Sequence, residues 1–208
     1  MTIQQDMQRE RLAPNDPSTQ THRYSQCQIV GKTLEIGKGA ICDELHDVEF
    51  IDCEIQIYAS GQQTFAALHN SIFRDCLIWA RQPQVIPTWQ ASFYHCTFKG
   101  TFEARFPGPV IACDFSQATL TSVAFQQQDG LGAVVWPPYP HVVMADVPAN
   151  YADWQQIEKP PEFNRFIVHP RTKGQVVVFN LASVVADPAA FWQRLKDKPY
   201  ISSSDDKA

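Results

Sequence analysis

Between Cys113 and Gln127 the chain reads CDFSQ, ATLTS, VAFQQ, and each block of five opens on a small residue and carries a large apolar one at its centre. An α-helix repeats its buried face near every 3.6 residues and a strand every second residue, so neither element explains a period of five. The same spacing recurs at longer range. YSQCQI (24–29), FIDCEI (50–55), FRDCLI (73–78), FYHCTF (93–98) and VIACDF (110–115) share the frame bulky-x-x-Cys-x-bulky, with the two bulky residues five apart. The steps from Cys27 to Cys53, Cys76, Cys96 and Cys113 are 26, 23, 20 and 17 residues. An internal repeat near twenty residues predicts a solenoid. A chain that turns a corner every five residues closes a roughly square coil in four blocks. One large side chain per block then points to the axis, and the small residue two before it fits beside the turn. Such coils stack like parallel strands about 4.8 Å apart, and each buries its apolar set against its neighbours.

The stretch at 113–127 resembles the pentapeptide-repeat proteins, whose block places Ala or Cys first, Asp or Asn second and Leu or Phe third. Cys113, Asp114 and Phe115 match all three positions, while Ala118 with Leu120 and Val123 with Phe125 match the first and third. The resemblance covers roughly residues 24–127 and implies a right-handed quadrilateral β-helix. GKGAICDELHD (37–47) and RQPQVIPTWQ (81–90) break the five-residue count and predict loops bulging from corners. The fold class expected is therefore mainly β: a right-handed β-solenoid with irregular loops and a C-terminal α+β cap.

The five-residue pattern stops after Gln128, where DGLGAVVWPPYPHVVMADVP begins, rich in Pro and Gly and then apolar. The expected organisation is a polar N-terminal segment over 1–20, a cap or a disordered stretch; a solenoid over 21–128; a cap or appendage over 129–200; and a mobile tail over 201–208. Within the cap, NYADWQQIE (150–158) predicts a helix with Asn150 as N-cap. FNRFIV (163–168) and QVVVFNLASVV (175–185) predict a hairpin. DPAAFWQRLKDK (187–198) predicts a helix capped by Asp187 with Pro188 at its first position.

Composition fits a folded chain: 208 residues, 44% hydrophobic and 12% aromatic. A formal net charge of −5 argues against non-specific adhesion to nucleic acid or to anionic membranes. The first twenty residues carry no apolar run of the kind a secretory signal needs, and no stretch approaches the roughly 18 apolar residues of a membrane span. A cytoplasmic protein with reduced thiols is the expectation, since none of the six cysteines forms a C-x-x-C pair.

The cysteine column is read as a buried ladder of small hydrophobes, because its spacing follows the coil and lacks the close ligand pairs of zinc sites. The core ladder expected is Cys27, Cys53, Cys76, Cys96, Cys113, Phe50, Phe73, Phe93, Phe98, Phe115, Leu120 and Phe125. Asp52 and Asp75, each one before a framed cysteine, are read as polar corner residues. His95 immediately precedes Cys96, and alternation aims the two side chains apart, against a nucleophile–base pair. No G-x-S-x-G, Walker-type loop or H-E-x-x-H occurs, so no catalytic residue, metal site or cofactor is expected.

The aromatics that the repeat does not demand are the candidate binding residues: Trp89, Trp136 and Tyr139. Trp136 and Tyr139 lie in a proline-stiffened stretch that presents rings at low entropic cost. The alternative for the tryptophans is that they seal the solenoid against the C-terminal segment. The leading expectation is a non-enzymatic scaffold binding another protein, a toxin or effector in the manner of immunity proteins, without direct nucleic-acid or membrane contact and with a homodimer as one arrangement. The resemblance implies a second reading, a DNA-mimicking partner of type II topoisomerases. A third is a carbohydrate-active β-helix enzyme with carboxylates on one face.

Overall fold

The computed structural model describes residues 2–3, 23–38, 44–62, 64, 68–86, 88–127, 129–160 and 176–203. Short strands follow one another at the spacing of the cysteine frame. The first is β1 (Thr2–Ile3). One coil then carries β2 (Arg23–Ser25), β3 (Gln28–Val30) and β4 (Thr33–Ile36), and the next carries β5 (Glu44–His46), β6 (Glu49–Ile51) and β7 (Glu54–Ile57). After these come β8 (Ile72–Arg74), β9 (Leu77–Ala80) and β10 (Gln84–Ile86), then β11 (Ser92–Tyr94) with the long β12 (Thr97–Phe106). The last coil holds β13 (Val110–Ile111) and the long β14 (Asp114–Phe125).

Equivalent strands pair in parallel. One sheet runs β1-β3-β6-β8-β11-β13, and a second takes β4, β7, β9, β12 and β14 in that spatial order. The result is a β-solenoid of about four turns.

The corners explain why the sequence tolerates this path. The residue before each framed cysteine has a left-handed backbone: Gln26, Asp52, Asp75, His95 and Ala112 have φ between 50° and 55°. Asp47 (φ 55°) and Asn70 (φ 55°) do the same one corner earlier in their coils, and Gly31 (φ 65°) stands where the first coil makes the later turn. Gly, Asn and Asp enter this region at least cost, which accounts for the aspartates preceding Cys53 and Cys76.

Inside, the rungs align in register. On the first sheet Ile29, Phe50, Phe73, Phe93 and Val110 form one column. The rings of Phe50 and Phe73 stack at 4.8 Å, and those of Phe73 and Phe93 at 5.0 Å. On the second sheet Leu34, Ile55, Ile78 and Phe98 align, and Phe98 stacks on Phe115 at 4.3 Å. Leu120 and Phe125 lie opposite Phe102 and Phe106. The small-then-large rule of the five-residue blocks is obeyed in the packing, since Cys113, Phe115, Ala118, Leu120, Val123 and Phe125 are all buried.

The framed cysteines divide between two corners. Cys53, Cys76, Cys96 and Cys113 form one column, linked by Leu77 N–H to Cys53 O (2.9 Å), Thr97 N–H to Cys76 O (2.9 Å) and Asp114 N–H to Cys96 O (2.8 Å). Lys32 precedes them in that column, its carbonyl accepting from Glu54 N–H at 2.9 Å. Cys27 stands one corner earlier, where its carbonyl accepts from Glu49 N–H, and Val48 and Ser71 follow it. Both corners obey the same five-residue grammar, so the frame alone does not separate them.

Two expected loops take another form. Residues 84–86 are strand β10, paired in register with Phe102, Glu103 and Ala104 of β12; Gln84 and Ile86 are buried, and the segment builds a third wall of the coil. Part of the 37–47 excursion is strand β5, which pairs with β2. β12 covers two walls by bending at Gly100 (φ 96°), where a Cβ would stand 2.2 Å from Ala80 O. Only glycine fits both that backbone and that approach.

The cap is built on β15 (His141–Ala145), α1 (Val147–Gln156), β16 (Val176–Asn180), α2 (Pro188–Leu195) and β17 (Ile201–Ser203). β16 pairs antiparallel with β14 and with β15, and β15 pairs antiparallel with β17, so the cap sheet prolongs the second solenoid sheet. Its Val143, Val176 and Val178 join the solenoid core. Its other face, with Val142, Met144, Val177 and Phe179, packs with Trp154 of α1 and Phe191 and Leu195 of α2 in a second core.

Asp187 caps α2 as its sequence predicts, accepting Ala190 N–H at 2.9 Å. α1 begins earlier than expected, with Asp146 rather than Asn150 as N-cap. The expected partner of β16, residues 163–168, lies outside the described residues; its observed partners are β14 and β15. Ile201–Ser203 is an ordered strand rather than part of a tail. Of the N-terminal segment, only Thr2–Ile3 is described, as a strand on β3. Among the described residues no helix is long and apolar enough to cross a membrane.

Candidate functional site, an aromatic and cationic face

The interior of the coil is filled by side chains, so chemistry directed at other molecules falls to the outer walls. On the second sheet the alternation that buries Ile55, Ile57, Ile78 and Ala80 turns Gln56, Leu77, Trp79 and Lys99 outward. Trp79 lies opposite Gln56 of β7 on one side and Lys99 of β12 on the other. Tyr58 and Arg81 continue the same two coils beyond β7 and β9, anchored by Tyr58 N–H to Ile36 O (2.8 Å) and Arg81 N–H to Ile57 O (2.9 Å).

The side chains converge. The Arg81 guanidinium lies over the Trp79 ring at 3.8 Å and 5.6 Å from the Tyr58 ring. Lys99 Nζ approaches Trp79 at 5.8 Å, and Lys38 Nζ approaches Tyr58 at 5.2 Å. Cations at such distances are attracted by the negative ring face. Tyr58 Oη donates to Gln56 Oε1 at 3.0 Å, and Gln56 Nε2 donates to Glu54 Oε1 at 2.7 Å. Lys38 is held by Glu35 at 2.6 Å. Arg81 and Lys99 make no ion pair among the described residues.

The outer wall of the first sheet carries a different chain of contacts. Gln28 Nε2 and Arg74 Nε both donate to Glu49, at 2.6 and 2.7 Å, and Arg74 lies 4.5 Å over the Tyr94 ring. The Arg74 and Gln28 hydrogen bonds hold the Glu49 carboxyl below its ordinary range. This wall is internally paired, and its charge is neutralised on the spot.

The sequence-derived candidates occupy other places. Trp89 is fully buried, its ring 5.1 Å from Phe93, 5.8 Å from Phe106 and 6.5 Å from Phe73. Trp136 is buried against Phe125 (5.3 Å) and Phe115 (6.0 Å) at the last coil. Both tryptophans seal the core, a correction to their place among the binding residues. Their spacing from the repeat fits an inward plug as well as an outward ring. Tyr139, 36% exposed, stands apart from the Trp79 face, before a cis bond to Pro140.

The thiol column is closed to solvent. Cys53 and Cys76 are 3% and 2% exposed, and Cys96 and Cys113 are fully buried. Cys53 Sγ lies within hydrogen-bonding reach of Ile29 O and Ile51 O, each at 3.3 Å, and Cys76 Sγ of Arg74 O at 3.1 Å. The hydrogen bond to Cys76 and burial push the Cys53 thiol up. At Cys76 the bond from Cys53 pulls down but is outweighed by the bond to Cys96 and by burial, leaving it pushed up to about 12. The bond to Cys113 puts Cys96 at about 12 as well, while Cys113, accepting from Cys96, is drawn down. Among the described residues no group of three or more His, Cys, Asp and Glu is placed to hold a metal ion.

Asp75 and His95 meet at 3.5 Å on the corner ridge, both more than half exposed. His141 is buried where the cap joins the solenoid: its Nε2 accepts Leu120 N–H at 3.1 Å, and its Nδ1–H donates to Pro138 O at 2.8 Å. Comparisons with family models, curated proteins and solved structures return no match.

Proposed function

We propose that this chain is a non-enzymatic scaffold that binds another protein across the outer wall carrying Trp79. The observation that carries the reading is the Arg81 guanidinium stacked on Trp79 at 3.8 Å, with Lys99 and Tyr58 beside it at the edge of a regular sheet. Tryptophan, tyrosine and arginine are enriched among the few residues that carry most of the binding energy at protein interfaces. A preformed coil presents them without a backbone-ordering cost at the moment of binding. The reading takes the coil as a right-handed quadrilateral β-helix like that of the pentapeptide-repeat proteins; burial of both the first and third positions of the blocks at 113–127 supports the five-residue repeat in it.

The test places a photo-reactive phenylalanine analogue at Gln82, whose side chain donates to Tyr58 O beside the face, and separately at Asp129, an exposed residue of the turn after β14, in the host cell. Expected is a discrete adduct with one protein at position 82 and none at 129. Equal adducts at both positions, or none at 82, overturn the reading.

A further inference from the structure

Resting on the scaffold reading, we infer that the Trp79 face recognises an acidic segment of its partner, with Arg81 and Lys99 receiving side-chain carboxylates. The geometry separates two roles. Arg81 spends the flat face of its guanidinium on the Trp79 ring. That leaves the N–H fork at its edge, which matches a carboxylate in bidentate fashion. Stacking also fixes the side chain, so less rotamer freedom is lost when the carboxylate arrives.

Lys99 lies on the neighbouring rung, registered with Trp79. Among the described residues neither cation has an ion-pair partner. The chain has more acids than bases, 22 against 17, so a carboxylate near each cation would be the ordinary arrangement. Arg74, on the wall of the first sheet, has one at 2.7 Å. The Trp79 face keeps two cations uncommitted.

The same face limits what else fits. Glu54 lies on the adjoining rung β7 and Glu35 on the next, β4, where it already holds Lys38. A long phosphate backbone would run from the two free cations onto these carboxylates. A short acidic peptide needs only the width of the Arg81–Lys99 pair, and its intervening side chains rest on Trp79 and Tyr58.

The experiment is a fluorescence-anisotropy titration of the full chain with fluorescein-labelled hexaglutamate, and in parallel with labelled hexathymidylate. Arg81→Gln, Lys99→Gln and the surface control Lys196→Gln are compared, with thermal melts confirming that each variant folds. Expected is saturable hexaglutamate binding that weakens with salt, falls about tenfold in Arg81→Gln, as loss of a charge-assisted hydrogen bond implies, falls in Lys99→Gln and is unchanged in Lys196→Gln. Absence of hexaglutamate binding, equal loss in the control, or tighter binding of hexathymidylate overturns the inference. If position 82 captures a protein whose contact segment lacks acids, the scaffold reading stands and this inference falls.

Discussion

His141 accepts the backbone N–H of Leu120 through Nε2 at 3.1 Å, and this contact ties the first strand of the cap sheet to β14. The ring is 7% exposed, and burial lowers its proton affinity below the ordinary value of 6.5. A proton on Nε2 would leave the Leu120 N–H facing a donor. As pH falls the unfolded chain takes up this proton before the folded one, so the contribution is complete above 6.5 and is lost as pH drops below it. Urea unfolding of wild type between pH 8 and 5 should therefore show a decline on the acid side that His141→Phe lacks. The variant should also lose about 1–3 kcal/mol at neutral pH by stranding the Leu120 donor.

The phenylalanine column predicts an asymmetry between interior and corner. Phe73 stacks on both neighbours, so Phe73→Ala should cost about 3–5 kcal/mol in denaturant unfolding. Phe98→Asp and Phe115→Asp place an unpaired charge among buried rings and should abolish cooperative folding.

The corner is tested by backbone preference. Asp75 has φ 54° and an exposed contact with His95 that contributes little. Asp75→Gly should be neutral or mildly stabilising. Asp75→Ala should cost at most about 1 kcal/mol and Asp75→Val about 1–2 kcal/mol, because a β-branched side chain is poorly suited to the left-handed region. A thermal-melt ranking of Gly, Ala and Val in that order checks it.

Gly100 makes a sharper case. Gly100→Ala meets both a positive φ and a Cβ position 2.2 Å from Ala80 O. Denaturant unfolding should show a loss above about 1 kcal/mol, larger than at Gly31, where a Cβ meets nothing within 4 Å.

Thiol reactivity follows from closure of the column. Cys53, Cys76, Cys96 and Cys113 should resist an aromatic disulfide reagent in the native chain at pH 8 and react together on denaturation. Burial blocks access, and the first three are also held as thiols. Peptide mapping after a short native pulse should find Cys27, which is partly exposed, labelled before these four.

Much of this architecture was legible in the chain because the repeat constrains inward positions. The pairs Phe73 with Ile78 and Phe93 with Phe98 are five apart because a left-handed corner residue and a small residue must fit between two walls. The frame was blind to which corner it marked, hence the displacement of Cys27. It also passed over Gln84–Ile86, where Pro83 and Pro87 read as loop punctuation, yet pairing with β12 supplies a strand whose side chains alternate inward and outward. Trp79 is hard to read from the sequence for the opposite reason. The repeat leaves outward positions unconstrained, and the only available signal was a tryptophan one residue after the inward Ile78, followed closely by an arginine.

The stacking of successive coils in register underlies every contact described, and aromatic NOE spectroscopy on specifically labelled protein reads it directly. Phe73 ring protons should show cross-peaks to both Phe50 and Phe93, whose centroids lie 4.8 and 5.0 Å away, and the Cys76 β-protons should see those of Cys53 and Cys96. Cross-peaks from Phe73 to neither ring, in a protein that melts cooperatively, would contradict the coil and the outer face built upon it.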